Sequence, residues 1–281
     1  MNESTAPEDA LVVGFIGLGD QGLPMARAIA EAGFPLRVWA RRPASLEPLT
    51  GVSYQAAETV EDLAASCDIV ALCVGTDEDV ERLVAQMLPR LRTGAVVVNH
   101  GTGVPAALRL AEQCAGHQVT VLDAPVSGGR PAAEEKRLTC MVGGPDDAVE
   151  RCRRVFEAFS AHAVHLGGPG AGQTAKLFDN ALLMLNQRSI ADIVALAARL
   201  EVDLGPLVEV LKLGSASSTA LTLLNTMVRP DNVGHLSKVE ALDMELFDQA
   251  MRDAGVDAGE VTERGLSGAR GLPELLARLN G

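Results

Sequence analysis

The chain has 281 residues, enough for one large or two medium domains, and 47% of them are apolar, so it can bury a sizeable core. Aromatic residues make up only 3%, so that core must be built from Ala, Leu and Val. The net charge of −13 argues against sequence-independent nucleic-acid binding, which needs a basic footprint, and against docking on anionic lipid.

The five cysteines (67, 73, 114, 140 and 152) form no CxxC pair. Neither a disulfide framework nor a zinc site is expected, and a reducing cytoplasm fits. His117, His162, His165 and His235 show no ligand spacing, so no metal is expected. Residues 1–10 are polar and acidic and lack the basic start of a signal peptide.

The first predicted strand is 11–16. It runs into Gly17-Leu18-Gly19-Asp20-Gln21-Gly22, which opens a helix over 23–32. Glycines in that context allow a tight turn, close approach to a pyrophosphate, and packing of helix on strand. The helix N-terminus adds donors and a favourable dipole for phosphates. This is the pattern of a dinucleotide site.

A second strand, 36–40, ends at Arg41-Arg42. An NAD site wants an acid there for the ribose 2′-hydroxyl. Two arginines instead suit a 2′-phosphate, so NADP(H) is expected over NAD(H).

A short helix is predicted over 60–65, then a strand over 69–74. Asp77-Glu78-Asp79 reads as the cap and first turn of a helix running through 80–91, not as a catalytic carboxylate pair. Strand 95–99, helix 105–114 and strand 119–123 follow. Continuous Val/Ile/Leu runs between helices indicate a parallel sheet covered on both faces. Ligands sit beyond the carboxyl ends of such strands, so Val74-Gly75 and Gly101-Thr102 should border the nicotinamide half of the cofactor. His100 reads as a cofactor-loop or surface residue, with substrate polarisation as the alternative.

Asp123-Ala124-Pro125-Val126-Ser127-Gly128-Gly129 takes a buried strand into a turn with bare N–H groups and one hydroxyl, which suits an anion. Strands at 138–142 and 163–166 flank a helix at 148–159 and complete a first domain, 1–166. The remainder, 167–281, reads as all-helical, with helices at 173–200, 205–213, 219–228, 239–254 and 271–279. Within the first of these, the apolar stretch 181–200 has the length of a membrane span, but Asn186, Gln187, Arg188, Asp192 and Arg199 interrupt it, so it reads as a buried helix of a soluble protein. A helix apolar nearly all round needs covering, so a homodimer or tetramer is expected. The fold class is therefore α/β: a Rossmann-like parallel-sheet domain, then an all-helical domain entered by one long helix.

Gly170-Ala171-Gly172 opens that helix, and Lys176 and Asn180, four residues apart, share one of its faces. An anion cradle with a presented lysine makes a plausible site for a small carboxylate substrate.

Three segments together resemble the β-hydroxyacid dehydrogenase family, the group of 3-hydroxyisobutyrate, tartronate semialdehyde and 6-phosphogluconate dehydrogenases. They are Gly14 to Gly19, Asp123 to Gly129, and Gly170 to Asn180, in order and at suitable spacing. The resemblance implies that Lys176 is the acid/base, that Asn180 orients the substrate, and that Ser127, Gly128 and Gly129 hold its carboxylate. It implies hydride transfer between NADP(H) and a small β-hydroxyacid or its semialdehyde.

The chain also departs from the family pattern. Ala132 and Lys136 stand where glycines are usual, Gly101 where many relatives have serine, and Asp179 where many have asparagine. Leu242-Asp243-Met244 replaces a K-D-L tripeptide, and Thr219 takes a common tryptophan position. Imine reductases are similar overall, and residues 99–105 are similar to their corresponding loop, but they generally lack the lysine. A non-catalytic NADP-binding protein is the third reading.

Overall fold

A computed structural model describes residues 11–105 and 107–280. The expectations for 1–10 and for residue 106 lie outside them. Packing divides the chain into two compact units, Met1–Lys176 and Leu177–Gly281.

The first unit alternates strand and helix. In chain order it runs β1 (Val13–Ile16), α1 (Gly22–Glu31), β2 (Leu36–Trp39), a 3-10 helix (Pro43–Leu49), β3 (Gln55–Ala56), α2 (Val60–Ser66), β4 (Ile69–Leu72), α3 (Asp77–Met87), β5 (Val96–Asn99), α4 (Ala107–Ala115) and β6 (Thr120–Asp123). These six strands form one parallel sheet in the order β3-β2-β1-β4-β5-β6. Strand order reverses between β1 and β4, which is where such sheets open a crevice for ligands. The register lines up the strand ends: Ile16 pairs with Trp39 and Leu72, Leu72 with Asn99, and Asn99 with Asp123. All five loops that follow therefore leave from one edge. Met25 and Ile29 of α1 pack on one face of the sheet, and Leu63, Leu83 and Cys114 of α2, α3 and α4 on the other. The short edge strand β3, exposed at both residues, was not anticipated.

The later strands do not extend this sheet. β7 (Val126–Ser127), β8 (Leu138–Val142) and β9 (Ser160–His165) form a second sheet, β7-β8 antiparallel and β8-β9 parallel. They enclose α5 (Gly129–Glu134) and α6 (Asp146–Phe159). Ala124-Pro125 carries the chain from β6 into β7, and the Pro125 carbonyl accepts the Met141 N–H at 3.0 Å.

The long helix α7 (Ala171–Arg199) begins in the first unit and continues through the second. By packing, the first unit ends at Lys176, beyond the 166 expected, because the first turn of α7 is bonded to the end of β6. The second unit continues with α8 (Leu204–Leu213), α9 (Thr219–Leu223), α10 (Val233–Asp253) and α11 (Gly259–Asn280).

α9 is shorter than expected, since Asn225 adopts φ 61° and the chain turns there. α11 starts well before the expected 271, across Gly265, Gly268 and Gly271. A Cβ on Gly265 would lie 2.6 Å from Met244 Cε, and one on Gly268 2.0 Å from the Met184 carbonyl oxygen. Gly265 and Gly268 thus allow helices to pack closely rather than breaking α11, while a Cβ on Gly271 would meet nothing within 4 Å.

Among the described residues, α7 alone is long and apolar enough to cross a membrane, by length and composition only, and 33% of its most apolar window is buried. The five cysteines are free thiols.

Candidate active site

The turn after β1 uses its glycines for different reasons. Gly17 has φ 105°, and a Cβ on it would lie 2.1 Å from the Cys73 carbonyl oxygen. A Cβ on Gly22 would lie 1.9 Å from the Gly17 carbonyl oxygen. Both packing contacts exclude any side chain. Nothing lies within 4 Å of a Cβ on Gly19, so there the backbone is bare toward open space.

That space is part of a cavity of about 230 Å³. Gly17, Leu18, Gly19, Arg41, Arg42, Val74 and Gly75 all line it, drawn together from the ends of β1, β2 and β4. Ser45, Asp79 and Arg82 also line it; sequence reasoning missed all three, because nothing local marks them. Arg82 is paired with Asp79. Among the described residues, neither Arg41 nor Arg42 has an ion-pair partner, and both are exposed. The cradle fits a dinucleotide: bare backbone at Gly19, and two exposed guanidinium groups where β2 ends.

Asp20, Gln21, Gly22 and Thr102 do not line this cavity. Gly22 is buried as the first residue of α1, and Gln21 precedes it. Asp20 is exposed and lies 3.7 Å from Arg130, which also bonds Glu134 at 2.7 Å. Thr102 is half-buried in the loop after β5.

That loop is held from both sides. Val104 N–H donates to Asp77 Oδ2 at 3.0 Å, and Gly101 N–H to Asn99 Oδ1 at 3.0 Å. Gln173 bonds it from α7: Nε2 donates to the Gly101 carbonyl at 2.6 Å, and Oε1 accepts the Gly103 N–H at 3.0 Å. A Cβ on Gly101 would lie 2.7 Å from the Val74 carbonyl oxygen. Glycine at this departure from the family pattern thus matches a loop that packs directly on the neighbouring one.

Asp123 is not part of an anion cradle. Its buried carboxylate accepts the N–H groups of Gly170 at 2.7 Å and Gln173 at 2.8 Å, capping α7. Burial pushes its pKa up, while these N–H groups pull it down. Gly172 leaves room for this contact, since a Cβ there would lie 2.9 Å from Asp123 Oδ2 as well as 2.3 Å from the Met141 carbonyl oxygen. Lys176 follows on the same helix and is buried. Ser127 ends β7; Gly128 and Gly129 follow with φ 127° and 66°, a pair of conformations that calls for glycine. Ala132 packs on the bare face of Gly128, where a Cβ would lie 2.6 Å from its methyl.

His100 is neither a surface nor a cofactor-loop group. It is 2% exposed, its Nδ1 lies 2.7 Å from the Ala124 carbonyl oxygen, and its ring sits edge-on to Phe156 and Phe159. Burial lowers its pKa to about 4, so it is neutral at pH 7 and part of the core.

In the second unit, Asn180 is buried and its Nδ2 donates to Asp243 Oδ2 at 2.9 Å. Two turns along α7, Gln187 Nε2 donates to Glu240 Oε1 at 2.9 Å. Asp179 is exposed, as is Leu242, while Met244 is fully buried.

Residues 12–167 match the family model described as the NAD binding domain of 6-phosphogluconate dehydrogenase. Residues 170–264 match the model described as NAD-binding of NADP-dependent 3-hydroxyisobutyrate dehydrogenase. The chain belongs to the β-hydroxyacid dehydrogenase family.

Among its relatives in that family are two Pseudomonas aeruginosa proteins, an NAD-dependent L-serine dehydrogenase and a 3-hydroxyisobutyrate dehydrogenase. Each is 32% identical over 76% of this chain and 73% of its own length. A solved Mycobacterium tuberculosis 3-hydroxyisobutyrate dehydrogenase with L-serine superposes at a TM-score of 0.83, covering 96% of this chain and 98% of that one. At 24% identity it speaks for the fold. This member of the family is an oxidoreductase acting on CH–OH, with a pyridine-nucleotide-binding domain.

Proposed function

We propose that the chain is an NADP(H)-preferring dehydrogenase that interconverts a small β-hydroxyacid and its semialdehyde or keto form, with Lys176 as general acid/base. The observation that carries the reading is the burial of Lys176 on α7, just past the turn that Asp123 caps. The relatives named for L-serine and 3-hydroxyisobutyrate both act on carboxylates with a β-hydroxyl, which supports the substrate class.

Bound NADP(H) would supply or accept the hydride. In the oxidative direction Lys176 takes the hydroxyl proton as the carbon–hydrogen bond breaks; in reduction its ammonium returns a proton to the oxygen. Ser127 with the bare N–H groups of Gly128 and Gly129 is assigned the substrate carboxylate, and Asn180, one turn beyond Lys176, its orientation. Arg41 and Arg42 are assigned the 2′-phosphate, which favours NADP(H) over NAD(H).

We also assign the outer face of α7 to a second copy of this chain. Phe178, Leu182, Ile193 and Leu196 are exposed along it at helical spacing, with exposed Leu200 just past its end. Arg188 and Asp192 of α7 are paired, and Arg264 of α11 reaches the same Asp192, charges that disfavour lipid as the covering surface. The free thiols and the acidic surface fit a cytoplasmic protein.

The test is nicotinamide absorbance with purified protein, both cofactors, and a panel of β-hydroxyacids, semialdehydes and cyclic imines. Turnover of an acid or semialdehyde with NADP(H) is expected, and Lys176→Ala should lower it at least ~100-fold. Turnover of imines alone, or undiminished turnover by the variant, overturns the assignment.

A further inference from the structure

Gln173 uses both ends of its amide on one loop. Nε2 reaches the Gly101 carbonyl at 2.6 Å and Oε1 the Gly103 N–H at 3.0 Å. The side chain is 1% exposed, so neither bond competes with bulk water. Its own backbone N–H is held by Asp123 at 2.8 Å. The residue is thus fastened at both ends: its main chain to the end of β6, its side chain to the loop after β5. That loop leaves the edge of the sheet where the parallel strands end, the side on which ligands of such sheets lie. Lys176 comes three residues after Gln173, close to one helical turn on.

An amide is the group this geometry demands. One partner is a carbonyl that needs a donor, and the other an N–H that needs an acceptor. Ionised glutamate offers only acceptors and would face the Gly101 carbonyl with a negative oxygen. Protonated glutamate restores the donor and is nearly isosteric with glutamine. Methionine fills the volume and makes neither bond.

We infer that Gln173 is a positioning residue for the reaction: its amide holds the Gly101–Gly103 loop, which packs at Gly101 on Val74 of the cofactor cavity, in register with the helix turn that carries Lys176. This rests on the dehydrogenase reading above. Gln173 touches neither proton nor hydride; it sets where the loop and the lysine stand. Misplacement of reacting groups by about 1 Å can cost on the order of 100-fold in rate.

The test compares wild type, Gln173→Glu and Gln173→Met. Three properties are measured: amide exchange at Gly101–Val104 without cofactor, the Kd for NADPH, and kcat with its pH profile. Loss of the clamp should speed exchange of the Gly103 amide at least ~10-fold in Gln173→Met, and lower kcat roughly 10- to 100-fold, with the NADPH Kd within about threefold. Gln173→Glu should approach wild-type kcat at acid pH and fall away as its carboxyl ionises, a profile that a packing defect does not produce.

Unchanged exchange at Gly103 in a folded Gln173→Met overturns the clamp. Loss of kcat matched by equal loss of NADPH affinity, with no recovery of Gln173→Glu at acid pH, reduces Gln173 to a structural residue. Should Gln173→Met fail to fold, Gln173→Glu decides by its pH profile, since its carboxylate keeps an acceptor for the Gly103 N–H and loses only the donor to Gly101. If wild type turns over nothing in the panel, the dehydrogenase reading fails by itself, and the exchange data still decide the clamp.

Discussion

Gly22 passes so close to Gly17 that a Cβ on Gly22 would lie 1.9 Å from the Gly17 carbonyl oxygen, while a Cβ on Gly19, between them, would touch nothing within 4 Å. One motif therefore contains two kinds of glycine. Gly17→Ala or Gly22→Ala drives a methyl into backbone and should destabilise the fold by about 3 kcal/mol or more. Gly19→Ala should leave the Tm near wild type and weaken NADP(H) binding roughly tenfold, about 1.4 kcal/mol. Thermal melts beside cofactor titrations separate the two; equal loss of stability in all three variants would refute the distinction.

Arg41 and Arg42 line the cofactor cavity without ion-pair partners among the described residues. Charge-assisted hydrogen bonds contribute about 1.5–3 kcal/mol each. Replacing both by alanine should raise the Kd for NADPH by on the order of 100-fold and that for NADH by less than about threefold. Parallel loss of both affinities would mean that the arginines do not read the 2′-phosphate.

Lys136 holds φ 57° just beyond α5, a conformation that favours glycine, and its Nζ lies 2.9 Å from Glu31. The left-handed conformation costs a side-chain-bearing residue about 1 kcal/mol, more than a half-exposed ion pair returns. Lys136→Gly should therefore stabilise the protein by about 0.5 kcal/mol in chemical denaturation. Lys136→Met, which keeps the strain and loses the pair, should be slightly destabilised.

Glu240 is held by Gln187, and its carboxyl is pushed from 4.5 up to about 7, chiefly by burial, with Asp243 adding to the rise. Among the described residues, Glu240 Oε2 and Gln187 Oε1 are both buried acceptors without a partner, and a proton on Glu240 turns one of two acceptors into a donor. In this range the folded chain binds more protons than the unfolded one, so this group's contribution is complete below pH 4.5 and is lost as the pH rises through about 7. The loss amounts to about 3 kcal/mol. Glu240→Gln should gain stability relative to wild type across that window and show no such decline. Parallel stability curves from pH 5 to pH 8 would show that Glu240 does not titrate there.

Much of the first sheet is readable from the chain alone. Runs such as Ile69–Leu72 and Val96–Asn99 are apolar at every position because both faces of a parallel sheet are covered. The glycine turn is readable for the same reason, since a fixed backbone shape demands a fixed residue type. The family resemblance rests on such local constraints, and two family models bear it out.

What local pattern does not carry is which distant group each residue meets. β8 and β9 read as strands, yet nothing in their composition places them in a sheet of their own. Gly265 and Gly268 of α11 read as breaks, because only the approach of Met244 and Met184 makes a missing side chain favourable. His100 reads as a loop residue until Phe156 and Phe159 enclose it. Asp123 reads as part of an anion turn until α7 arrives to be capped.

By itself, then, the sequence determined strand, helix and glycine turn, wherever the physical demand lies within a few residues. The tertiary structure alone decided the partners of Asp123, Gln173, His100 and Glu240. Their environments are made by residues tens of positions away, and burial and hydrogen bonding exist only once the chain has closed on itself.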